Sequence, residues 1–114
     1  TVVGPHTAAA RCNMVRCIEQ NVEWIADLLR FMERNNYFVV EATTAAEDEW
    51  TSHVKRLAEG RLYTKVRSAQ YTGINTNVEG RDKVRILAYT GGVPAYRARC
   101  DAVAQSGYKS FQFH

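Results

Sequence analysis

The stretch GPHTAAARCNMVRCIEQNVEWI, from Gly4 to Ile25, sets a loop of small residues directly before a long amphipathic helix. Apolar residues recur at steps of three and four from Met14 onward, which predicts a helix from about Arg11 to Arg34. No strong Ser, Thr or Asp cap pattern opens this helix, and three alanines leave space beside its N-terminus. Ligands bind beside helix N-termini because the first amides have no partner within the helix. The stretch therefore predicts the main helix and room for a ligand beside it.

Apolar residues cover more than one side of this helix. Trp24, Leu28 and Phe31 widen its main stripe, so the helix carries more apolar surface than a partner within 114 residues can easily cover. The chain also opens with residues typical of a buried strand, without the neighbouring strands that such a strand needs. We therefore expect a C-terminal piece of a longer protein. The stripe predicted to be buried consists of Met14, Ile18, Val22, Ile25, Leu29 and Met32.

The rest of the chain is predicted to alternate short strands with two further helices. Aromatic and β-branched runs favour strands, whereas capping residues and glycines mark helix ends. The predicted elements are a strand from Tyr37 to Ala42, a helix from a capping box at Thr44–Glu47 to about Glu59 with Gly60 as its terminator, an irregular segment from Leu62 to Asn77, a strand from Val84 to Tyr89, a helix after Gly91-Gly92-Val93-Pro94 that ends near Gly107, and a final strand in YKSFQF.

Composition narrows the class of protein. With 46% apolar and 24% charged residues, the 114-residue chain is globular, and it forms one domain or part of one. Its net charge of +3 comes from scattered residues, which argues against a nucleic-acid partner. No apolar run reaches membrane-spanning length. Cys12, Cys17 and Cys100 are odd in number and lack metal-site spacing, so reduced thiols in a cytoplasmic protein are expected.

No complete set of catalytic residues or metal ligands can be read from the sequence. His53 is predicted on the exposed side of a helix and His114 at the chain end, while His6 lies in the alanine-rich loop. Gly91-Gly92 resembles a plain strand-to-helix turn more than a phosphate cradle. Two loops, Gly4–Met14 and Ser68–Arg81, are built of residues that let the backbone approach a ligand, and ordinary loop chemistry remains the alternative.

Five stretches together resemble the C-terminal part of Baeyer–Villiger monooxygenases of the cyclohexanone and phenylacetone type. Each stretch is weak alone, but their order and spacing cover the chain from Gly4 to Phe113. The stretches are GPHTAAARCNM, IEQNVEWI, AEDEWTSHV, YTGIN followed by EGR, and GGVPAYRARCDAVAQSGYKSF.

The resemblance implies an α/β fold in which residues 1–114 form the C-terminal part of an FAD-binding domain, within a flavoprotein that has two dinucleotide-binding domains. It implies FAD and NADP as cofactors, and a reaction in which O₂ adds to reduced flavin. The resulting C4a-peroxyflavin inserts one oxygen atom into a ketone, or oxidises an amine or sulfide in related enzymes. The dinucleotide loops and the catalytic arginine of the family lie outside this sequence, so the piece alone is expected to be inactive.

The resemblance also assigns residues to the site. Asn13 and Met14 match the pair that lies against the flavin at the start of the long helix. Gln70 stands where the family usually has a tryptophan that donates a hydrogen bond to the nicotinamide cofactor and lines the pocket. A glutamine amide still donates, but the flat apolar wall is lost, which suggests a different or more polar substrate. The residues that match the substrate-pocket loop are Ala9, Ala10 and Arg11, with Arg11 in place of a typically apolar residue.

A second interpretation stays open on the sequence alone. A small, free-standing α+β binding module without catalysis could use the basic stretch that contains Arg81, Lys83 and Arg85. A degenerate monooxygenase paralogue that keeps the fold without turnover is a third, for which Gln70 is the one indication.

Overall fold

Three α-helices and one small antiparallel sheet form the regular structure of the protein. The computed structural model describes residues 2–7, 12–65, 70–75, 77–80 and 83–114, and every structural statement below concerns these residues. In chain order the elements are α1 (Met14–Arg34), β1 (Val40–Ala42), α2 (Thr44–Ala58), two short 3₁₀ turns (Leu62–Lys65 and Gln70–Thr72), α3 (Val93–Gln105) and β2 (Phe111–Phe113).

Helix α1 begins later than the sequence pattern predicts, because Asn13 caps it. The Asn13 side-chain Oδ1 accepts a hydrogen bond from the Val15 amide at 3.1 Å, and the Asn13 backbone is extended. Asparagine is among the best N-cap residues because its short side chain reaches an amide of the first turn. The sequence-based prediction considered only a Ser, Thr or Asp cap and missed Asn13, and the helix begins three residues after the predicted start near Arg11.

One face of α1 is covered within the chain and the adjacent face is not. Leu28 and Met32 are buried, and Trp24 and Phe31 are half-buried against the same core. The predicted stripe runs beside this face, and only Met32 of its six residues is buried. The prediction of a buried stripe is thus wrong within this chain, while the expectation of surplus apolar surface is met. The exposed large apolar residues of α1 are Met14, Val15, Ile18, Val22 and Leu29.

Two apolar clusters lie along α1, one near each end. The first holds Cys17, Val54 and Tyr89 and joins the start of α1 to α2. The second joins the end of α1 to α3 and the sheet through aromatic rings; Phe31 and Tyr108 have ring centroids 4.9 Å apart. Helix α1 is therefore the element on which both cores are built.

The sheet pairs β1 with β2 in antiparallel register, with Val40 opposite Phe113 and Ala42 opposite Phe111. It fastens the end of the chain beside the second cluster, to which both phenylalanines of β2 contribute. The strand predicted from Tyr37 is three residues longer than β1 at its start, and Phe38 in that stretch is 86% exposed. The predicted strand from Val84 to Tyr89 is wrong, because none of these residues forms a strand, Ala88 forms a bend, and the sheet among the described residues contains only β1 and β2.

The cysteines also differ from expectation. Cys12 and Cys17 are joined as a disulfide, whereas Cys100 is a free, half-buried thiol. The expectation of reduced thiols is therefore wrong for the first pair.

Helix α2 is capped one residue earlier than the predicted capping box. The Thr43 hydroxyl accepts from the Ala46 amide at 3.2 Å, so Thr43 is the N-cap and Thr44 is the first helical residue. Position N3 is then Ala46, which cannot return a side-chain hydrogen bond, and the reciprocal box of Thr44 with Glu47 does not form. The predicted end is confirmed, since the helix stops at Ala58 and Gly60 has a left-handed φ of 73°.

This shift in the cap gives a paired test. Thr43→Ala is expected to lower the free energy of unfolding by about 1 kcal/mol, because an amide of the first turn loses its acceptor. Thr44→Ala, one residue along on the exposed helix surface, is expected to change it by less than about 0.5 kcal/mol. Urea unfolding followed by circular dichroism measures both. Equal losses in the two variants would contradict the assigned cap.

Candidate functional site

The stretch from Val84 to Tyr89, called here the anchoring segment, holds the glycine-containing loop by backbone hydrogen bonds. The Arg85 amide donates to the Thr72 carbonyl at 2.6 Å, and the Leu87 amide donates to the Tyr71 carbonyl at 2.9 Å. The Thr72 side chain is fully buried at this contact. The segment therefore pairs with a 3₁₀ turn where a strand partner was expected.

Gly73 allows this close approach. Its φ of 66° lies in the left-handed region, and a Cβ at this position would lie 3.2 Å from Arg85 Cβ and 3.3 Å from the Arg85 carbonyl oxygen. Only glycine combines this backbone conformation with such tight contact. The position of the turn Gln70–Thr72, which opens with the predicted cofactor residue, thus depends on Gly73.

The N-terminal loop is fastened to the same anchoring segment. The His6 amide donates to the Leu87 carbonyl at 2.8 Å, and the His6 ring nitrogen Nε2 hydrogen-bonds to the Ile86 carbonyl at 2.7 Å. The loop is further tied to α1, since the Asn21 side-chain amide donates to the Val2 carbonyl at 2.6 Å. His6 is therefore a half-buried structural residue, and the two loops singled out in the sequence meet on one segment.

The start of α1 lies against this assembly. Cys17 is 3% exposed in the first cluster, and Cys12 and Ile86 pack against that cluster. The first turn of α1 contains no acidic side chain, so nothing within it neutralises the partial positive charge of the helix N-terminus. Its Met14 side chain is 48% exposed. The partial positive charge of this helix start and the exposed apolar surface of Met14 would suit an electron-rich aromatic ligand.

The structure places part of the predicted site. Asn13 is the N-cap of α1 and Met14 its first residue, at the end of the helix that packs on the anchoring segment. Gln70 begins the 3₁₀ turn that the same segment holds. The substrate-pocket residues Ala9, Ala10 and Arg11 lie outside the described residues.

The sequence context predicts His53 on an exposed helix face, but the structure places its ring half-buried against aromatic side chains. Its ring packs beside the stacked rings of Trp50 and Tyr89, with ring centroids 5.7 and 5.9 Å away. Burial, and then the positive charges of Arg99 and Arg56, lower the pKa of His53 below its usual value. Its Nε2 atom is buried and has no hydrogen-bond partner among the described residues. His53 therefore favours the neutral imidazole form and serves the core.

A cleft of about 710 Å³ lies between the three helices, and Pro5, His6 and Thr7 of the predicted ligand-contact loop Gly4–Met14 form part of its wall. It is lined by aromatic side chains, and Cys100 opens onto it. Burial raises the pKa of the Cys100 thiol, and burial together with Cys100 raises that of Tyr96. Both groups therefore stay protonated and behave as apolar wall. Its aromatic lining consists of Trp24, Trp50, Tyr96 and Phe111.

The Gly91-Gly92 turn before α3 is a packing feature. A Cβ on Gly91 would lie 2.5 Å from the Tyr89 hydroxyl and 2.9 Å from Leu57 Cδ1, so this turn presses on the first cluster. Pro94 follows as the second residue of α3, where its missing amide hydrogen costs nothing.

Among the described residues, no three His, Cys, Asp or Glu side chains lie close enough to hold a metal ion. None of the helices in those ranges combines the length and apolar character needed to cross a membrane.

The contact at Gly73 can be tested against a glycine with the same backbone but open surroundings. Gly80 has a φ of 76°, and no atom of the described residues lies within 4 Å of an added Cβ. Gly80→Ala should therefore lower the free energy of unfolding only by the cost of a left-handed backbone, about 1 kcal/mol. Gly73→Ala should lower the free energy of unfolding by about 1–3 kcal/mol more, because the methyl group meets the Cβ and the carbonyl oxygen of Arg85. Chemical unfolding measures both, and equal losses would show that the turn does not press on the anchoring segment.

No protein-family model matches the chain, but comparison with known proteins finds similar sequences and structures. The acetone monooxygenase (methyl acetate-forming) of Gordonia sp. (strain TY-5) is 39% identical over 111 residues, which cover 97% of this chain and 20% of that enzyme. The closed crystal structure of cyclohexanone monooxygenase has a TM-score of 0.84 and 36% identity, over 99% of this chain and 20% of that one.

A further solved structure, OTEMO in complex with FAD and NADP, has a TM-score of 0.83 and 32% identity over 100% of this chain and 20% of that one. The chain spans about one-fifth of the length of the relatives that it matches. Their names and the cofactors in their structures agree with the family that the sequence motifs resemble. The chain is thus homologous to a segment of the Baeyer–Villiger monooxygenases.

Proposed function

We propose that the intact protein is an FAD- and NADPH-dependent monooxygenase that inserts one oxygen atom from O₂ into a ketone and forms an ester or lactone. The observation that carries this proposal is the convergence of three predicted site segments on one anchoring segment. The Gly4–Thr7 end of the N-terminal loop and the turn Gln70–Thr72 are hydrogen-bonded to it, and the start of α1 packs beside it. In a chain homologous to these enzymes, that convergence supports a shared cofactor and substrate site.

Within this proposal the start of α1 faces the flavin. Bound FAD, once reduced by NADPH, supplies the oxygen-activating chemistry. The chain's own contribution is electrostatic and steric: the first amides of α1 carry partial positive charge, and Asn13 keeps the helix start in place by holding the Val15 amide. The exposed Met14 side chain offers apolar contact to a ring.

The remaining predicted residues define the substrate side of the site. Ala9 and Ala10 would leave room for the ketone, and Arg11 would place a cation at its rim. Gln70 would donate a hydrogen bond to the nicotinamide cofactor without providing a flat aromatic wall. Together Arg11 and Gln70 favour a ketone with more polar character than the aliphatic ring ketones.

The chain would form the C-terminal part of an FAD-binding domain of a cytoplasmic enzyme, and would be inactive without the rest of it. The exposed apolar face of α1 supports this, because such a face is normally covered in the native protein. The alternative of a free-standing binding module has less support. Its basic stretch includes Lys83 and Arg85, which are exposed, but the main-chain amide of Arg85 is committed to the turn at Thr72.

The proposal is tested on the intact protein supplied with FAD, NADPH and ¹⁸O₂. We expect NADPH consumption that depends on an added ketone, and one ¹⁸O atom in the ester or lactone detected by mass spectrometry. Acetone, cyclohexanone and a keto acid span small, cyclic and polar substrates. A protein that retains no flavin, or that transfers no oxygen to any ketone, amine or sulfide, would overturn the proposal.

The role of Gln70 has its own test in the intact enzyme. Gln70→Trp restores the flat apolar wall, so the ratio of kcat/KM for cyclohexanone to that for the keto acid should rise about tenfold or more. Gln112→Trp, at an exposed position in β2, serves as the matched control and should leave the ratio unchanged. If Gln70→Trp alters neither this ratio nor the KM for NADPH, Gln70 does not contact the cofactor or the substrate.

A further inference from the structure

The bond between Cys12 and Cys17 closes a short loop around the cap of α1. Cys12 immediately precedes the N-cap Asn13, and Cys17 provides the first amide that hydrogen-bonds back along the helix, to the Asn13 carbonyl at 3.2 Å. Cys17 is 3% exposed within the first cluster, whereas Cys12 is half-buried against its edge. One sulfur of the pair is therefore held in the core and the other lies nearer to solvent.

We propose that Cys12 and Cys17 form a site of reversible oxidation, whose closed disulfide holds the cap of α1 against the first apolar cluster and whose open dithiol releases it. This inference concerns the chain's own sulfur chemistry and does not require a flavin. Its failure would leave the proposed function standing, and the reverse also holds.

Hydrogen peroxide is an oxidant that balances the reaction. The Cys12 thiolate, nearer to solvent, attacks one peroxide oxygen; an S–O bond forms, the O–O bond breaks and hydroxide leaves. The Cys17 sulfur then attacks the Cys12 sulfenic sulfur, so that the S–S bond forms as the S–O bond breaks and a second hydroxide leaves. The two hydroxides take up the two thiol protons as water, and the pair loses two electrons. A dithiol reductant reverses the change by thiol–disulfide exchange.

The effect of the bond is local because the closed loop is short. It ties the residue before the cap to the fourth residue of α1, so the Asn13 contact to Val15 lies inside the loop. Opening the bond frees the chain at Cys12 while Cys17 stays buried. Cys100 takes no part, since it lies on α3 beside Tyr96 and lines the cleft.

Trypsin makes the bond directly measurable, because it cleaves after Arg11 and Arg16 and so separates the two cysteines. The intact protein is treated with hydrogen peroxide, blocked with N-ethylmaleimide under denaturing conditions and digested without reductant. We expect peptide 12–16 to be cross-linked to peptide 17–30, and peptide 100–109 to carry the maleimide. Dithiothreitol treatment before blocking should remove the cross-link and label all three peptides.

Variants separate this pairing from non-specific oxidation. Cys12→Ser should abolish the cross-link and leave Cys17 labelled, whereas Cys100→Ser should keep it. Cys12→Ser is preferred to a change at the buried Cys17, since it leaves the core intact. Labelling of both peptides after peroxide treatment, a cross-link to peptide 100–109, or oxidation that dithiothreitol cannot reverse would overturn the proposal.

Amide hydrogen exchange reports the proposed effect on α1. Exchange of the Cys17 and Ile18 amides should slow by about threefold or more on oxidation, because the closed loop suppresses fraying of the first turn. The same amides in Cys12→Ser, and amides in the middle of α3 in either protein, should be unaffected. Equal exchange in the oxidised and reduced wild-type protein would overturn the proposed hold on the cap.

Discussion

The structure depends on helix α1, which carries apolar side chains on two adjacent faces and is covered by this chain on one of them. The covered face supports both apolar clusters, through Cys17 at one end and through Leu28 and Met32 at the other. The other face carries five exposed large apolar side chains on one stripe. Burial of a side chain of this size stabilises a protein by roughly 1.5–3 kcal/mol, so such a stripe is normally covered in the native protein. Homology to about one-fifth of a larger enzyme accounts for the missing cover.

The site follows from the same arrangement. Because α1 begins at the first cluster, its N-terminus lies beside the anchoring segment, which also holds the His6 loop and the turn before Gly73. The contacts that join these parts are mostly main-chain hydrogen bonds together with one glycine. Such contacts set where the loops lie and leave most side chains near them free to vary. Relatives that act on different ketones can therefore share this framework, and under the proposed function Gln70 and Arg11 would set the preference among substrates.

The sequence predicted the helices and turns well, because periodicity and capping act locally. It placed α1, α2 and α3 within a few residues, and it identified both loops that meet on the anchoring segment. It failed where the deciding contact is distant in sequence. The strand at Val84–Tyr89 has strand-like residues, but its hydrogen-bond partners are a turn and a loop, which no local pattern reveals. His53 sits among charged neighbours in sequence, yet Tyr89, far along the chain, buries its ring.

Three features close together in sequence were also not predicted: the cap of α2, the covered face of α1 and the pairing of Cys12 with Cys17. The shift of the second cap to Thr43 reflects two adjacent threonines, either of which could fill the position. Which face of α1 is covered here could not be read from its sequence, because both faces are apolar. The pairing of Cys12 with Cys17 depends on how the chain enters α1 around Asn13, and their spacing alone does not define it.

The most direct test of the account is the unfolding free energy of Leu29→Asp in the intact protein, compared with Ser52→Asp on the exposed surface of α2. Leu29 is 58% exposed, so the contacts within this chain alone would make both substitutions mild. If the rest of the enzyme covers the second face of α1, Leu29→Asp buries an unpaired charge and should cost more than about 2 kcal/mol, whereas Ser52→Asp should stay within about 0.5 kcal/mol. Equal, small effects in the two variants would mean that this face is open to solvent, and would contradict the account.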